Sequence, residues 1–228
     1  MASYDNAKTR AMGCPKASVK IRETPARRQC LWLRTLRLVN YLTSMEVIMP
    51  PKPWKTLSSL TVYENPWARV REDIAQMPNG KTTIYGVVEC GQCVGVLPFI
   101  DDKHVVLVRQ YRYVFHENIR WEMPTGGVKS GETIHDAAHR ELREESGYDA
   151  LELEPICTYY PSKSIMQEVA HLFIGRGLTQ VHELPDHTEF FEIETFPFER
   201  VLQMVKDSDI RDSMSVIAIL HAARQLGL

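Results

Sequence analysis

The sequence predicts a mixed α/β layered domain: strand-rich halves around one central helix, antiparallel strands at the N-terminal end, and two helices closing the chain. Three observations predict it. Short apolar runs bounded by turn residues recur from Trp54 to Phe196. A helical pattern interrupts them once, at 133–146, and two more follow residue 196. No internal repeat or low-complexity segment competes with this reading.

At 228 residues and 44% apolar content, the chain has enough material for one buried domain plus an extension. The net charge of −2 conceals an asymmetry. Residues 1–48 hold nine Lys and Arg against three Asp and Glu, giving +6, and the other 180 hold 18 against 26, giving −8. The expected division is therefore a basic extension over 1–48, disordered or helical, and a domain over 49–228. Met49 would serve as an alternative start. An acidic body is a poor match for nucleic acid. It suits phosphate chemistry only if a divalent cation reverses the sign locally.

The five cysteines, at 14, 30, 90, 93 and 157, are an odd number without a disulfide-scaffold spacing. That favours a reducing, cytoplasmic location. "CLWLRTLRLVNYL" is broken by Arg34 and Arg37 and is too short to span a bilayer, so no membrane association is expected. The Arg-rich, acid-poor extension leaves an organelle transit peptide as the alternative.

In chain order, "WARVRED" (67–73) alternates, "PNG" (78–80) turns, and "KTTIYGVVE" (81–89) returns as the second strand of a hairpin. "QCVGVLPFI" and "HVVLVRQYR" follow as strands around the "DDK" turn (101–103), and "WEMPTGG" (121–127) runs from a short strand into a glycine loop. A helix over 133–146 stops at Gly147. "EPICTYY", "EVAHLFIGRG" and "FFEIETF" read as three more strands, and "PFERVLQMVKD" and "SMSVIAILHAARQLG" as helices.

The helix over 133–146 carries the chemistry. With Glu141 at 0° and ~100° per residue, Ile134 lies near ~20°, Ala137 near ~−40°, Ala138 near ~60°, Glu145 near ~40° and Glu144 near ~−60°. The glutamates share the apolar face, where a solvated helix would not put them. Two such charges ~6 Å apart repel by roughly 3 kcal/mol at an effective dielectric of 20. Arg140, four residues before Glu144, can pair with it, but one arginine cannot neutralise three carboxylates. A hard divalent cation can, and oxygen ligands suit Mg²⁺, with Mn²⁺ as an alternative. The upstream "GGVKSGET" imitates a phosphate loop, but Glu132 stands where that motif needs Lys.

These residues resemble the Nudix hydrolase signature: Gly, five residues, Glu, seven residues, Arg-Glu, an aliphatic residue, any, Glu-Glu, any, Gly, aliphatic. Gly126, Glu132, Arg140, Glu141, Leu142, Glu144, Glu145 and Gly147 fall in register, and Tyr148 departs from the last position. The flanks "VRQYR", "WEMPTGG", "TEFFEIETFP" and "DSMSVIAILHAAR" resemble the ADP-ribose and nucleotide-sugar pyrophosphatase branch. The resemblance implies a Nudix-type α/β/α sandwich with a mixed β-sheet and an N-terminal antiparallel strand region (57–99) before a catalytic core (100–228). It also implies cleavage of a nucleoside diphosphate linked to another moiety, and a homodimer built through the N-terminal strands.

It implies residue roles as well. Glu141 and Glu145 match the main metal ligands, Glu144 a third, and the Thr125 carbonyl a further one. Glu132 and Arg140 match positions that hold the loop and helix around the catalytic glutamates, together with Gly126 and Gly147. Arg112, Arg109 and Glu122 match substrate contacts, and Tyr85 and Trp67 fall where the branch stacks aromatics on a base. The general base falls either on the box helix, where Glu144 is the candidate, or on the loop 182–190. On that loop Glu189 fits best, with Asp186 and Glu183 as rivals. GDP-sugars and dinucleoside polyphosphates are the alternative substrates, since "PSKSIMQE" replaces the branch's Pro-Gly loop. A non-catalytic Nudix-like module is the alternative of another class. "HDAAH" (135–139) reads as solvated histidines on the far helix face, and "CGQC" (90–93) as turn thiols.

Overall fold

The structure is a computed structural model that describes residues 52–118, 121–181 and 192–228. The basic extension and the loop 182–190, with Glu183, Asp186 and Glu189, lie outside the described residues. A six-stranded mixed sheet runs in the order β1 (Lys55–Glu64), β2 (Arg69–Gln76), β3 (Thr82–Pro98), β9 (Met166–Gln180), β8 (Tyr148–Tyr159). Its sixth strand, β7 (Thr125–Gly127), pairs with β3. β4 (His104–Arg109) and β10 (Glu192–Pro197) make a two-stranded antiparallel sheet, and β5 (Tyr111–Arg112) pairs with β6 (Glu117–Asn118). Three helices complete the chain: α1 (Ile134–Ser146), α2 (Phe198–Lys206) and α3 (Ser213–Leu226).

β3 organises the molecule. One edge pairs with β2 from Thr82 to Glu89 and then with β7 from Cys93 to Gly95, while the other runs parallel to β9 from Val88 onward. The sequence suggests two strands here, because "ECGQC" is polar and holds a glycine. The structure has one. Glu89 and Gly91 face the consecutive residues Gln167 and Glu168, so Cys90 is an extra residue absorbed as a bulge. Gly91 takes φ +82°, a conformation that favours glycine. Cys90 and Cys93 are therefore strand thiols, not turn thiols. Burial, aided by Glu168, pushes the Cys93 thiol up to about 12. β8 likewise begins six residues earlier than "EPICTYY" suggests, directly after the glycine that ends α1.

Alternation along β3 splits the core. Val94 and Val96 join Ala137, Ala138 and Leu142 of α1 and Phe173. Leu97 joins a larger cluster with Leu107, Met123, Leu172, Phe198 and Ile219. α1 follows its caps closely. The Thr133 side chain accepts the Asp136 N–H, and Gly147, at φ 70°, donates back to the Arg143 carbonyl. On the far side of α1, His135 is exposed against the Phe173 ring, as its position suggests. His139 is not free in solvent: it is half-buried and bonds Asp149 at 2.6 Å. The start of β8 folds back over that face and supplies this partner.

Candidate active site

The inward face of α1 meets the strand β7. Glu141 is 9% exposed and Glu145 4%. Glu145 accepts the Thr125 N–H at 2.8 Å, so the Thr125 backbone lies against it. A Cβ on Gly126 would overlap the Glu141 carboxyl, so this glycine is required for close approach.

Arg140 ties the cluster together. Its guanidinium donates to both Glu132 oxygens (2.8 and 2.9 Å), to Glu141 (2.6 Å), to Glu144 (2.9 Å) and to the Gly127 carbonyl (2.8 Å). The pair with Glu144 matches its i, i+4 spacing; the reach to Glu132 and Glu141 exceeds what the helix spacing alone suggests. Arg140 holds Glu132 down to about 2, and Glu132 also accepts the Lys129 N–H. These bonds in turn raise the Arg140 pKa. Glu144 lies at the rim, with Lys129 Nζ 3.8 Å away.

Glu145 receives no such help. Among the described residues no Lys or Arg forms an ion pair with it. Burial, reinforced by Glu141 and Glu122, raises its pKa well above the usual carboxylate range, against the opposing Thr125 bond and Arg112. A buried carboxylate with no ion pair among the described residues, beside a second buried carboxylate, is a donor set suited to a hard divalent ion. As the side chains stand, no group of three or more such donors is gathered among the described residues. Arg140 engages Glu141 and Glu144.

Glu122, 4% exposed, completes the cleft. Arg112 donates to it at 2.5 Å, and burial raises its pKa despite that bond. Arg109 points elsewhere: it pairs with Glu192 and stacks 4.9 Å from the centre of the Trp121 ring. Tyr85 and Trp67 sit on the N-terminal strands and in the turn before β2. The Tyr85 hydroxyl donates to the Ser164 carbonyl at 2.8 Å, and Trp67 is 82% exposed. The structure thus places Glu141, Glu144, Glu145, Arg140, Glu132, Gly126, Thr125, Glu122 and Arg112 along one seam, without converging the carboxylates on a common point. It does not bring Arg109, Tyr85 or Trp67 into hydrogen bonds with the cluster. Sequence reasoning missed the support behind Glu122: the Met123 N–H donates to the buried Ser215 hydroxyl of α3 at 2.9 Å. The Asp-x-x-Ser pattern at 212–215 was the available signal.

The Nudix domain family matches residues 91–215, more than half of the chain and the whole of this site. The chain belongs to the Nudix family. The nucleoside diphosphate sugar hydrolase N-terminal domain family matches residues 54–88 of this Nudix hydrolase. A methanol dehydrogenase activator of Bacillus methanolicus is 28% identical, over 76% of this chain and 95% of its own. An ADP-ribose pyrophosphatase of Bacillus subtilis is 29% identical, over 73% and 91%. A crystal structure of an ADP compounds hydrolase superposes with a TM-score of 0.71 at 20% identity, covering 78% of this chain and 97% of that one, a likeness in fold. Among the described residues no helix is long and apolar enough to cross a membrane.

Two outcomes follow from the geometry. Gly126→Ala must displace the Glu141 carboxyl, so hydrolysis should fall by about 100-fold, the scale of an ångström-size misplacement; retention of near-normal kcat/KM would show that the close approach is dispensable. Glu132 contributes stability that is complete above its unfolded pKa of ~4.3 and is lost as pH falls from there towards about 2. Acid denaturation followed by circular dichroism should therefore be shallower over that window in Glu132→Gln, and an unchanged slope would contradict the assignment.

Proposed function

We propose that this Nudix hydrolase cleaves the pyrophosphate of ADP-ribose or a related nucleotide sugar. Water enters at phosphorus as the bridging P–O bond breaks, so ADP-ribose gives AMP and ribose 5-phosphate. The observation that carries this reading is the buried pair Glu141–Glu145 against Thr125, with the Arg112–Glu122 pair beside it. The relatives named ADP-ribose pyrophosphatase support the choice of substrate.

Nudix hydrolases generally use divalent metal ions. Here Mg²⁺, with Mn²⁺ as a substitute, would be held by Glu141, Glu145, Glu144 and the Thr125 carbonyl. When bound it would neutralise phosphate charge and activate water. The chain's own residues do the rest. Arg112, already oriented by Glu122, offers a planar fork to a phosphate oxygen, and Arg109 would join it by leaving Glu192. Arg140 fixes Glu132 and the helix, so that the glutamates meet the substrate in one geometry. Glu189 would take the proton from the attacking water, with Glu144 as the candidate on the helix and Asp186 and Glu183 as rivals on the loop. Tyr85 and Trp67 would stack on the base.

A homodimer fits the N-terminal strands. β1 pairs only with β2 among the described residues and leaves Leu57, Leu60, Val62 and Tyr63 more than half exposed. We place the enzyme in the cytoplasm. GDP-sugars and dinucleoside polyphosphates remain the competing substrates because of the loop "PSKSIMQE", which carries Lys163.

A substrate panel with Mg²⁺ or with chelator tests the proposal. The expected result is Mg²⁺-dependent release of AMP from ADP-ribose at a kcat/KM well above that for GDP-mannose. Glu145→Gln should lose at least about 100-fold, since removing even a group that only orients a metal ligand costs up to that much. AMP release that survives chelation, or an undiminished variant, would overturn it.

A further inference from the structure

Between Glu122 and Thr125 the chain crosses from β4 to β3, and a different element ties each step of the crossing. Glu122 exchanges both backbone hydrogen bonds with Val108 of β4, at 2.8 and 2.9 Å. Pro124 has no N–H to place, and its carbonyl accepts the Val96 N–H of β3 at 3.0 Å. The Thr125 N–H goes to Glu145 of α1 at 2.8 Å. That leaves the N–H of Met123, a fully buried residue, with no strand to receive it. A buried amide donor left bare is costly. The Ser215 hydroxyl of α3 accepts it, at 2.9 Å.

Both ends of that bond are held firmly. Ser215 is fully buried on the first turn of α3, and Asp212 caps the turn by accepting the Ser215 N–H at 2.8 Å. Its neighbour Ser213 shares a hydrogen bond of 3.0 Å with the Tyr159 hydroxyl at the end of β8. On the other side, the Met123 side chain is fixed together with its amide. A Cβ on Gly95 of β3 would overlap the Met123 methyl and crowd those of Met214 and Leu172. The missing side chain at Gly95 therefore admits Met123 against the start of α3. Glu122 is the next residue in the chain, and Arg112 donates to it at 2.5 Å. In so closely packed an interior, a shift of Met123 is passed on to Glu122.

We propose that Ser215 is a positioning residue: by holding the Met123 amide it fixes where the Arg112–Glu122 pair stands beside the α1 glutamates. Ser215 touches no substrate in this scheme. It acts through one backbone bond, and Glu122 carries the effect to the guanidinium that meets a phosphate. The kinetic part of this inference rests on the proposed pyrophosphatase reading; the structural part does not.

Ser215→Ala removes the acceptor and little else. The ¹⁵Nε signal of Arg112, assigned by its loss in Arg112→Lys, reports the pair without substrate. In Ser215→Ala it should move towards its position in Glu122→Gln. Ser215→Cys, of similar size but a weaker acceptor, should move it the same way by less, and Ser215→Thr should restore it. Ser213→Ala, which cuts only the tie to Tyr159, should leave it unchanged. With ADP-ribose, Ser215→Ala should lower kcat/KM by about 10-fold or more, chiefly through KM, because Arg112 binds the phosphate before and during reaction. Added to Glu122→Gln, the same substitution should cost little further. An unmoved Arg112 signal in both Ser215→Ala and Ser215→Cys would overturn the proposal. So would an equal shift in Ser213→Ala, or a full additional loss of kcat/KM without Glu122. If the Arg112 signal moves as expected but the wild type does not hydrolyse ADP-ribose, the substrate reading fails and the positioning stands.

Discussion

The fork of Arg140 is the interaction on which the rest of the site depends. A single guanidinium, largely buried on α1, binds Glu132 through both oxygens and also reaches Glu141, Glu144 and the Gly127 carbonyl. It therefore joins the glycine loop to the helix and orients two of the three glutamates that α1 carries. Lysine could not replace it, because its ammonium lacks the planar set of donors that meets several acceptors at once. Arg140 leaves Glu145 out. The charge imbalance of the cleft is thereby concentrated on one carboxylate, pressed against the Thr125 amide and away from water.

Backbone constraints bring that carboxylate into place. β3 crosses the whole sheet, and β7 adds only three residues to its edge, yet those three position Thr125 and Gly126 under α1. The absence of a side chain at Gly126 admits the Glu141 carboxyl. Opposite α1, the first turn of α3 props the segment carrying Glu122, which bridges to Val108, through Ser215. The site is a seam between a helix, the strand β7 and the segment before it, closed from behind by a second helix.

Much of this was legible in local sequence. Thr133 and Gly147 mark α1 to within a residue, and the i, i+3, i+4 spacing of Glu141, Glu144 and Glu145 puts them on the face shared with Ala137 and Ala138. What could not be read depends on distant partners or on single residues in unusual conformations. The continuity of β3 rests on Cys90 being absorbed as a bulge, which a polar, glycine-containing stretch conceals. Arg109 reads like Arg112, three residues apart by pattern alone, yet Glu192 claims one and Glu122 the other. Met123 and Ser215 are 92 positions apart in the chain, and no periodicity links them. His139 looked solvated because its partner, Asp149, lies beyond the glycine that ends the helix.

The central claim is that the buried glutamates of α1 form the binding place of a divalent cation. Calorimetric titration of Mg²⁺ into the substrate-free enzyme, repeated in two buffers of different ionisation enthalpy, tests it directly. The account predicts a saturable event that releases protons, since a buried carboxyl with a raised pKa must deprotonate to ligate a metal. In Glu145→Gln that event should be lost or greatly weakened. Equal Mg²⁺ binding by wild type and variant would contradict it.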